Sequence, residues 1–298
     1  MSPARINASS VTNPYADRHR PREAAPIDVI AQHTHAPAHR IAVTTGARHA
    51  LGQLLTGPVL LALPTSPAYL DLARGPVIVH QLEARRDFAL DLEALERKIL
   101  RFRPQTVLLA SPNNPDGSAI ATNDLERFLR RTKAARVIVD ETFAPFAGSR
   151  SLAPLVDEFP HLTVVGSLRP SHAIDLGYVI ARTPPPSRHH LPFCALPDEL
   201  ALRTYIREAR AFHANLALLP GSKTFPSASN FALLSTYRPA QDVIRELAEH
   251  GIDVRDCAEQ WVLNRTRYLR LAAQRAEENE RIVAALREVL SVPLAVAS

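Results

Sequence analysis

The hydrophobic pattern of the first part of the chain switches repeatedly between two periods. Continuous apolar runs at 59–63, 106–110 and 137–139 predict buried strands. At 47–56 and 91–102, apolar residues recur every three or four positions, which is typical of amphipathic helices. Further strands are predicted at 41–46, 77–80, 162–165 and 178–181, and a further helix within 64–73. This alternation favours a mostly parallel sheet covered by helices on both faces.

A second pattern follows residues 183–197, which are rich in proline, arginine and histidine and predict a domain boundary. Helices are predicted after it at 198–219, 240–250 and 277–290, and strands at 230–234, 252–254 and 268–272. The chain is therefore expected to contain a three-layer α/β sandwich and a smaller α+β C-terminal domain. The predicted units are an N-terminal arm at 1–40, a large domain at 41–190 and a small domain at 191–298. The polar, proline-rich arm is expected outside the core.

Composition narrows the classes of protein to which the chain can belong. Hydrophobic residues make up 46% and charged residues 22%, as in globular proteins, and no long apolar run predicts a membrane span. The net charge of +5 is spread over helix faces beside acidic residues, so we expect no nucleic-acid partner. The N-terminus has no apolar signal segment, and Cys194 and Cys257 stand in no metal-binding spacing. These features predict a cytoplasmic protein without disulfides.

Two polar residues follow predicted parallel strands at the ends where ligands usually bind. Asn114 lies in the loop after the strand at 106–110, and Asp140 directly follows the strand at 137–139. Because the carboxyl ends of parallel strands share one edge of a sheet, we expect the two side chains to lie in one ligand site. Asn123 is predicted to cap the next helix, with Glu126 completing a capping box.

Eight motifs in sequence order resemble the class I/II aminotransferases of fold type I, which use pyridoxal phosphate (PLP). They run from position 41 to the C-terminus and read VTTGARHAL, LALPTSPAY, SPNNPDG, VDETF, GSL…LGYVIA, FPSASNF, GIDVRD and YLRL…AEENERIVAALREVL. The branch that looks closest contains histidinol-phosphate aminotransferase and threonine-phosphate decarboxylase. The resemblance implies the aminotransferase fold, an amino acid-like small-molecule substrate and a homodimer with sites near the subunit boundary.

The resemblance assigns roles to individual residues. Asn114 would hydrogen-bond the phenolic oxygen of the cofactor, and Asp140 would pair with the pyridine nitrogen, so that the ring acts as an electron sink. Arg270 would bind the substrate carboxylate. The remaining assignments are Gly46, Ala47 and Arg48 at the phosphate, Phe143 and Ser167 at the cofactor, and Tyr69 and Arg255 at the substrate. Taken singly, Asn114 could instead be a turn residue, Asp140 a cap and Arg270 a surface arginine.

The chain departs from the family pattern where relatives carry the Schiff-base lysine. Arg169 and Pro170 stand at that position, and neither side chain offers a nucleophilic amine. The whole chain has three lysines. Lys98 and Lys133 are on helices that precede strands, so we expect them near the opposite end of the sheet. Lys223, in the connector to the small domain, remains as the one substitute that could reach a cleft.

Other cofactor contacts of the family are altered as well. Asp175 or Leu176 replaces the arginine that usually helps to bind the phosphate. Ser66 replaces the aromatic residue that stacks on the ring, with Tyr69 three residues later, and Phe143 replaces a tyrosine. PLP is therefore expected to bind without a covalent link. Ordinary transamination is expected to be absent, because the missing lysine also moves the proton in that reaction.

Histidines offer two further possibilities. His172 lies two residues beyond the lost lysine and could act as a base, as histidine does in a few relatives of this fold group, or it could be an ordinary loop histidine. His33, His35 and His39 form a histidine-rich tract. No cysteine or carboxylate accompanies the tract at a metal-binding spacing, and Pro37 interrupts it, so no metal site is predicted.

Three functions remain open on the sequence. The first is an enzyme of PLP ancestry with lysine-independent chemistry on an amino acid or related carboxylate, motivated by the retained Asn114, Asp140 and Arg270. The second is a non-catalytic pseudoenzyme or partner subunit, motivated by the accumulated losses. The third is a fold repurposed for cofactor-free or metal-dependent catalysis, motivated by the histidine-rich arm.

Overall fold

The structure is a computed structural model, and it describes residues 5–17, 24–186, 194–195, 197–260, 262–263 and 267–291. The predicted boundary between the two domains, at 190/191, lies outside the described residues. In the described residues before that boundary, strands and helices alternate. In those after it, an antiparallel sheet packs with helices.

Thirteen strands and ten α-helices are assigned within these residues. The strands are β1 (Ile6–Asn7), β2 (Ile41–Thr44), β3 (Val59–Leu63), β4 (Val77–Gln81), β5 (Thr106–Ala110), β6 (Arg136–Asp140), β7 (Leu162–Ser167), β8 (Gly177–Ala181), β9 (Ser222–Thr224), β10 (Phe231–Thr236), β11 (Ile252–Asp253), β12 (Arg255–Asp256) and β13 (Tyr268–Ala272). The helices are α1 (Pro26–Thr34), α2 (Ala47–Leu54), α3 (Pro67–Leu72), α4 (Leu92–Phe102), α5 (Thr122–Arg131), α6 (Ala144–Ala147), α7 (Arg169–His172), α8 (Glu199–Leu216), α9 (Ala240–Glu249) and α10 (Ala276–Ser291).

The large domain is built on a seven-stranded sheet in the order β2-β8-β7-β6-β5-β3-β4. Neighbouring strands from β7 to β4 run parallel, and β8 runs antiparallel to both of its neighbours, β2 and β7. The predicted α/β fold with a mostly parallel sheet is confirmed. Its central strands β5, β6 and β7 are buried along nearly their whole length because helices cover both faces.

The two faces of this sheet carry different helices. Along β6, Val137 and Val139 pack in the cluster that contains α1, α4 and α5, whereas Ile138 packs in the cluster that contains α2 and α3. Because side chains alternate along a strand, Asp140 shares the α2–α3 face with Ile138, and Glu141 turns toward the α1 face. This division separates two groups of polar residues that are adjacent in sequence.

The small domain is an antiparallel sheet with helices packed on it. Its four strands have the order β12-β13-β10-β9, and α8, α9 and α10 bury their apolar faces in one cluster with β10 and β13. The strand predicted at 252–254 is β11, which ends at Asp253. β12 follows separately, and the two short strands pair with different partners. The short strand β9 was not predicted, since its three residues carry no clear alternation.

The N-terminal arm differs from the expectation that it lies outside the core. Ile6 and Ala8 are fully buried in the small-domain cluster, and β1 pairs in parallel with β11. Val29 and Ile30 of α1 are buried in the large-domain cluster. Pro26 begins this helix at a position where proline is favoured, and the apolar spacing behind it is helical. The helical pattern was overlooked because the residues around it are polar.

The predicted cap of α5 is wrong. The helix begins at Thr122, and its N-cap is Ala121, which has no capping side chain. Asn123 therefore lies inside the first turn, because the chain enters the helix two residues earlier than the capping-box pattern implied. Among the described helices, none is long and apolar enough to cross a membrane.

Candidate active site

The candidate site lies at the carboxyl edge of β5 and β6. Ala110 and Asp140 are register partners at the ends of these strands, and the Ser111 backbone N–H donates to the Asp140 carbonyl at 3.1 Å. The chain then turns through the Asn-Asn-Pro loop. This pairing brings Asn114 and Asp140 to the same edge, as the strand pattern predicts.

The two asparagines of the loop have different surroundings. Asn113 is buried, accepts a hydrogen bond from the Thr65 hydroxyl at 2.7 Å, and donates to the Pro64 carbonyl and to the carboxylate of Asp116. It therefore holds the turn together. Asn114 is half-buried and its amide oxygen accepts from Arg270 at 2.8 Å. The turn-stabilising role that was an alternative for Asn114 therefore belongs to Asn113.

Asp140 is a buried carboxylate with a protein partner on each oxygen. The Tyr69 hydroxyl donates to Oδ2 at 2.7 Å, and the Thr142 backbone N–H donates to Oδ1 at 2.9 Å. Burial raises the pKa of Asp140, and these two hydrogen bonds oppose that rise. Tyr69 was predicted at the substrate, but its ring is buried beneath the carboxylate and its hydroxyl orients Asp140.

Arg270 connects the small domain to this edge. It is buried in the middle of β13, where Nη1 donates to Asn114 at 2.8 Å and Nη2 donates to the Ser9 carbonyl at 2.9 Å. Its guanidinium lies 5.1 Å from the centre of the Phe231 ring. Nε is buried and has no hydrogen-bond partner among the described residues. Burial lowers the pKa of Arg270 to about 10, so the side chain stays charged at neutral pH.

The turn at Gly46 opens α2 with its backbone N–H groups at the helix N-terminus. Gly46 has a φ of +147°, and no heavy atom lies within 4 Å of the position that a Cβ would occupy. Its backbone conformation therefore favours glycine, and the space beside it is open. Ala47 follows as the first helical residue. The Arg48 side chain is exposed, 3.6 Å from Asp71, and points to solvent rather than into a site.

The position of the expected lysine is the short helix α7. Arg169 is exposed and forms an ion pair with Asp175 at 3.0 Å, and Pro170 is buried. Ser167, at the end of β7, is buried and its hydroxyl donates to the Leu176 carbonyl at 3.2 Å. The hydroxyl of Ser167 thus closes the local turn, and this segment offers no amine.

The three lysines lie elsewhere. The Lys98 amine donates to the Val79 carbonyl at 2.7 Å, beside β4. Lys133 lies between α5 and β6, at the amino end of β6, which is the end opposite Asp140. Lys223 is on edge strand β9, two strands from Arg270, where its amine is 2.6 Å from Asp87 and lies over the Phe225 ring.

Three other predicted residues are not gathered at Asp140. Phe143 caps α6 and packs edge-on against Phe231 at 5.0 Å, in the small-domain cluster. Arg255 is the register partner of Arg270, but its side chain is half exposed and lies 3.8 Å from Glu259. The third residue, His172, lies in a separate group with residues of α1 and α8.

His172 belongs to the α1 side of the sheet. Its ring packs edge-on against His33 at 5.3 Å, and its Nε2 lies 3.5 Å from Oε1 of Glu199. Burial, and secondarily the nearby His172, lowers the pKa of His33 to about 4. The fold thus brings His172 together with α1 and α8 rather than with Asp140, so its predicted role as base at the cofactor finds no support in these contacts.

A cavity of about 770 Å³ on this side, with several polar side chains in its lining, was not predicted from the sequence. Glu141, Ser151, Tyr178, His33 and Glu199 are among its lining residues. Glu141 is buried, accepts from the Ser151 hydroxyl and the Leu152 backbone N–H, and has its pKa raised by burial to about 7. Strand alternation could have revealed it, since Glu141 directly follows Asp140 and must face the other way.

Comparisons with known proteins place the chain in a family. The family model for aminotransferase class I and II matches residues 30–181. A histidinol-phosphate aminotransferase from Caldanaerobacter subterraneus subsp. tengcongensis is 30% identical over 225 residues, which are 69% of this chain. The chain spans 63% of the length of that relative, which is under two thirds.

Solved structures show the same fold. A decarboxylase from Sulfurospirillum multivorans has a TM-score of 0.84 and 25% identity, over 97% of this chain and 88% of its own. A histidinol-phosphate aminotransferase from Sinorhizobium meliloti in complex with pyridoxal-5'-phosphate has a TM-score of 0.79 and 18% identity, over 96% and 91%. With more than half of its residues matched by the family model and its fold shared throughout, the chain belongs to the class I and II aminotransferase family.

Proposed function

We propose that this protein binds pyridoxal phosphate, or its adduct with an amino acid, without a covalent link and acts on an amino acid or related carboxylate by lysine-independent chemistry. PLP is the cofactor of the aminotransferase family, and one structural neighbour was solved with it. The observation that carries the proposal is the combination of a retained Asp140–Asn114–Arg270 edge with lysines that are all placed elsewhere.

The residues of the edge fit the polar groups of the cofactor. Each carboxylate oxygen of Asp140 accepts one hydrogen bond from the protein, and a carboxylate oxygen has room for a second. The open space at Gly46 and the N-terminal N–H groups of α2 suit a phosphate. The buried Nε of Arg270 is a donor that a substrate carboxylate would satisfy. The covalent link is the exception, because Arg169 and Pro170 stand where relatives carry the lysine that forms it.

Roles follow from these positions. Asp140, oriented by Tyr69, would hold the protonated ring nitrogen, and Asn114 would hydrogen-bond the ring oxygen. Arg270 would clamp the substrate carboxylate, which competes with its present bond to Asn114. The cofactor, when bound, supplies an electron sink for bonds at the substrate α-carbon. With no lysine at α7, we expect no ordinary transamination.

A binding experiment tests the proposal directly. PLP is titrated into the purified chain, followed by visible absorption and equilibrium dialysis, for wild type, Asp140→Asn and the control Asp157→Asn, which is exposed and precedes β7. We expect saturable binding in wild type, at least about tenfold weaker binding in D140N, as for one charged hydrogen bond, and no change in D157N. Borohydride treatment followed by mass spectrometry is expected to leave no PLP adduct on any lysine.

Two results would overturn it. An adduct on Lys223 would show a relocated covalent link and remove the lysine-independent part. Absence of saturable PLP binding would favour the non-catalytic alternative. One observation supports that alternative. Asp140 and Asn114, which would hold the cofactor, already accept hydrogen bonds from Tyr69 and Arg270.

We further propose a homodimer in the cytoplasm. Members of the family are typically dimeric and act on amino acid substrates. Cys194 and Cys257 are both buried and are not joined in a disulfide, which supports a reducing compartment. Light scattering on the purified protein is expected to give twice the mass of the 32.8 kDa chain.

A further inference from the structure

We propose that His33, His172 and Glu199 form a binding site for a divalent transition-metal ion, with zinc as the metal that suits them best. The three residues come from three elements: the last turn of α1, the end of α7 and the start of α8. One ligand atom from each lies within 4.8 Å of the others. This site is separate from the Asp140 edge and does not depend on PLP.

The spacing of the donors is close to that of a bound ion. With metal–ligand bonds of about 2.0–2.2 Å, the ligand atoms of a tetrahedral zinc site lie about 3.4 Å apart. Nε2 of His172 and Oε1 of Glu199 are already 3.5 Å apart. The rings of His33 and His172 meet edge-on with centres 5.3 Å apart, and the three donor atoms all lie within 4.8 Å of one another.

The donor types point to zinc or a similar ion rather than magnesium or calcium. Two imidazoles and one carboxylate form a ligand set that zinc uses when its fourth position stays open. Hard cations such as magnesium prefer oxygen ligands throughout. A site with two nitrogens and one oxygen therefore discriminates against them.

A second layer of contacts orients His172. Its Nδ1 lies 2.8 Å from the Ser171 hydroxyl, and the Ser171 carbonyl accepts from the Asn13 side chain at 2.9 Å. Ser171 and His172 are both buried. With Nδ1 held in this way, Nε2 is the atom that faces Glu199, which is the arrangement typical of metal-binding histidines.

The fourth position would open into the cavity of about 770 Å³. His33 and Glu199 line this cavity together with Glu141 and Ser151. Water or an oxygen ligand from the cavity can therefore complete the coordination. Because the ion would join α1, α7 and α8, its binding should stabilise the fold as well as occupy the site.

The test uses the full chain purified without a histidine tag and stripped with a chelator. Zinc chloride alone is titrated by calorimetry and by competition with a chromophoric chelator, with magnesium chloride in parallel. We expect about one zinc per chain, a higher thermal midpoint with zinc, and no such rise with magnesium. Glu199→Gln and His33→Ala should each weaken zinc binding at least tenfold. The controls, His39→Ala in the same tract and Glu277→Gln at an exposed position on α10, should bind zinc as wild type does.

Glu199 is mostly exposed, with 60% of its side chain accessible, so E199Q is expected to fold normally, and circular dichroism checks this. The proposal is overturned if the stripped chain takes up no zinc saturably, or if E199Q and H33A bind zinc as tightly as the controls. D140N is expected to keep full zinc affinity, which separates this result from that of the PLP titration.

Discussion

At the scale of single residues, neighbours in sequence have divided structural from ligand-binding roles. Asn113 holds its loop through three partners, and Asn114 is left to contact Arg270. Asp140 and Glu141 face opposite sides of the sheet. The sequence shows two adjacent asparagines before Pro115, but it does not show which of them is buried.

Glu141 gives a pH-dependent prediction. Its pKa is about 7 in the folded chain and 4.5 ordinarily, because burial disfavours the carboxylate. Between these values the folded state keeps a proton that the unfolded state has released, so stability falls as pH rises from about 4.5 to about 7. The glutamine of the Glu141→Gln variant does not titrate, so its stability lacks this pH dependence. The unfolding free energy of wild type relative to E141Q is therefore expected to fall by on the order of 3 kcal/mol from pH 4.5 to pH 8.

Urea unfolding at a series of pH values measures this difference. The pKa of buried Asp116 is also raised, to about 6, but Asp116 is present in both proteins and its contribution cancels. Glutamine can keep both contacts, by accepting from Leu152 and donating to Ser151. Parallel curves for the two proteins would contradict the assignment.

At the scale of elements, the α2 N-terminus is positioned by strand β8. A Cβ on Gly177 would lie 2.4 Å from the Gly46 Cα, so only glycine permits this close approach. The Gly46 turn and the Gly-Tyr motif, 131 positions apart by their numbers, therefore depend on each other. The sequence pattern contains both glycines but not their contact.

Two glycine-to-alanine changes are expected to have opposite effects. Gly177→Ala should lower the unfolding free energy by about 1–3 kcal/mol, because the added methyl group forces β8 and α2 apart. Gly52→Ala, inside α2, meets only Leu72 at 3.4 Å and should raise stability by about 0.5–1 kcal/mol, because alanine is the better helix former. Urea denaturation compares them, and a shift of the same sign in both would refute the close-packing argument.

At the scale of the whole molecule, the N-terminal segment ties the two domains together. Ile6 lies in the small-domain core, and the Ser9 carbonyl accepts from Arg270. Asn13 donates to two carbonyls of α7, from its backbone N–H to Pro170 and from its side chain to Ser171. In addition, the Val11 carbonyl accepts from the Asn230 side chain at 2.7 Å. The segment is thus part of the frame on which the candidate site rests.

Truncation of one arm residue tests this integration. Ile6 is 1% exposed, so Ile6→Ala is expected to cost about 2–5 kcal/mol of unfolding free energy through lost burial and a residual cavity. Leu218→Ala, at a position 76% exposed, should change stability by no more than about 0.5 kcal/mol. Thermal and urea unfolding measure both variants. An I6A protein as stable as L218A would mean that the arm is peripheral after all.

The sequence by itself determined the parallel sheet, the placement of Asn114 and Asp140 at one edge, and the lack of a lysine at Arg169–Pro170. Those features follow from periodicity, strand direction and residue identity, which are local properties of a chain. The tertiary structure alone decided that Tyr69 binds Asp140 across 71 positions, that Arg270 reaches Asn114 across 156, and that His33 meets His172 and Glu199. These contacts depend on how helices and domains pack, and no spacing along the chain encodes that.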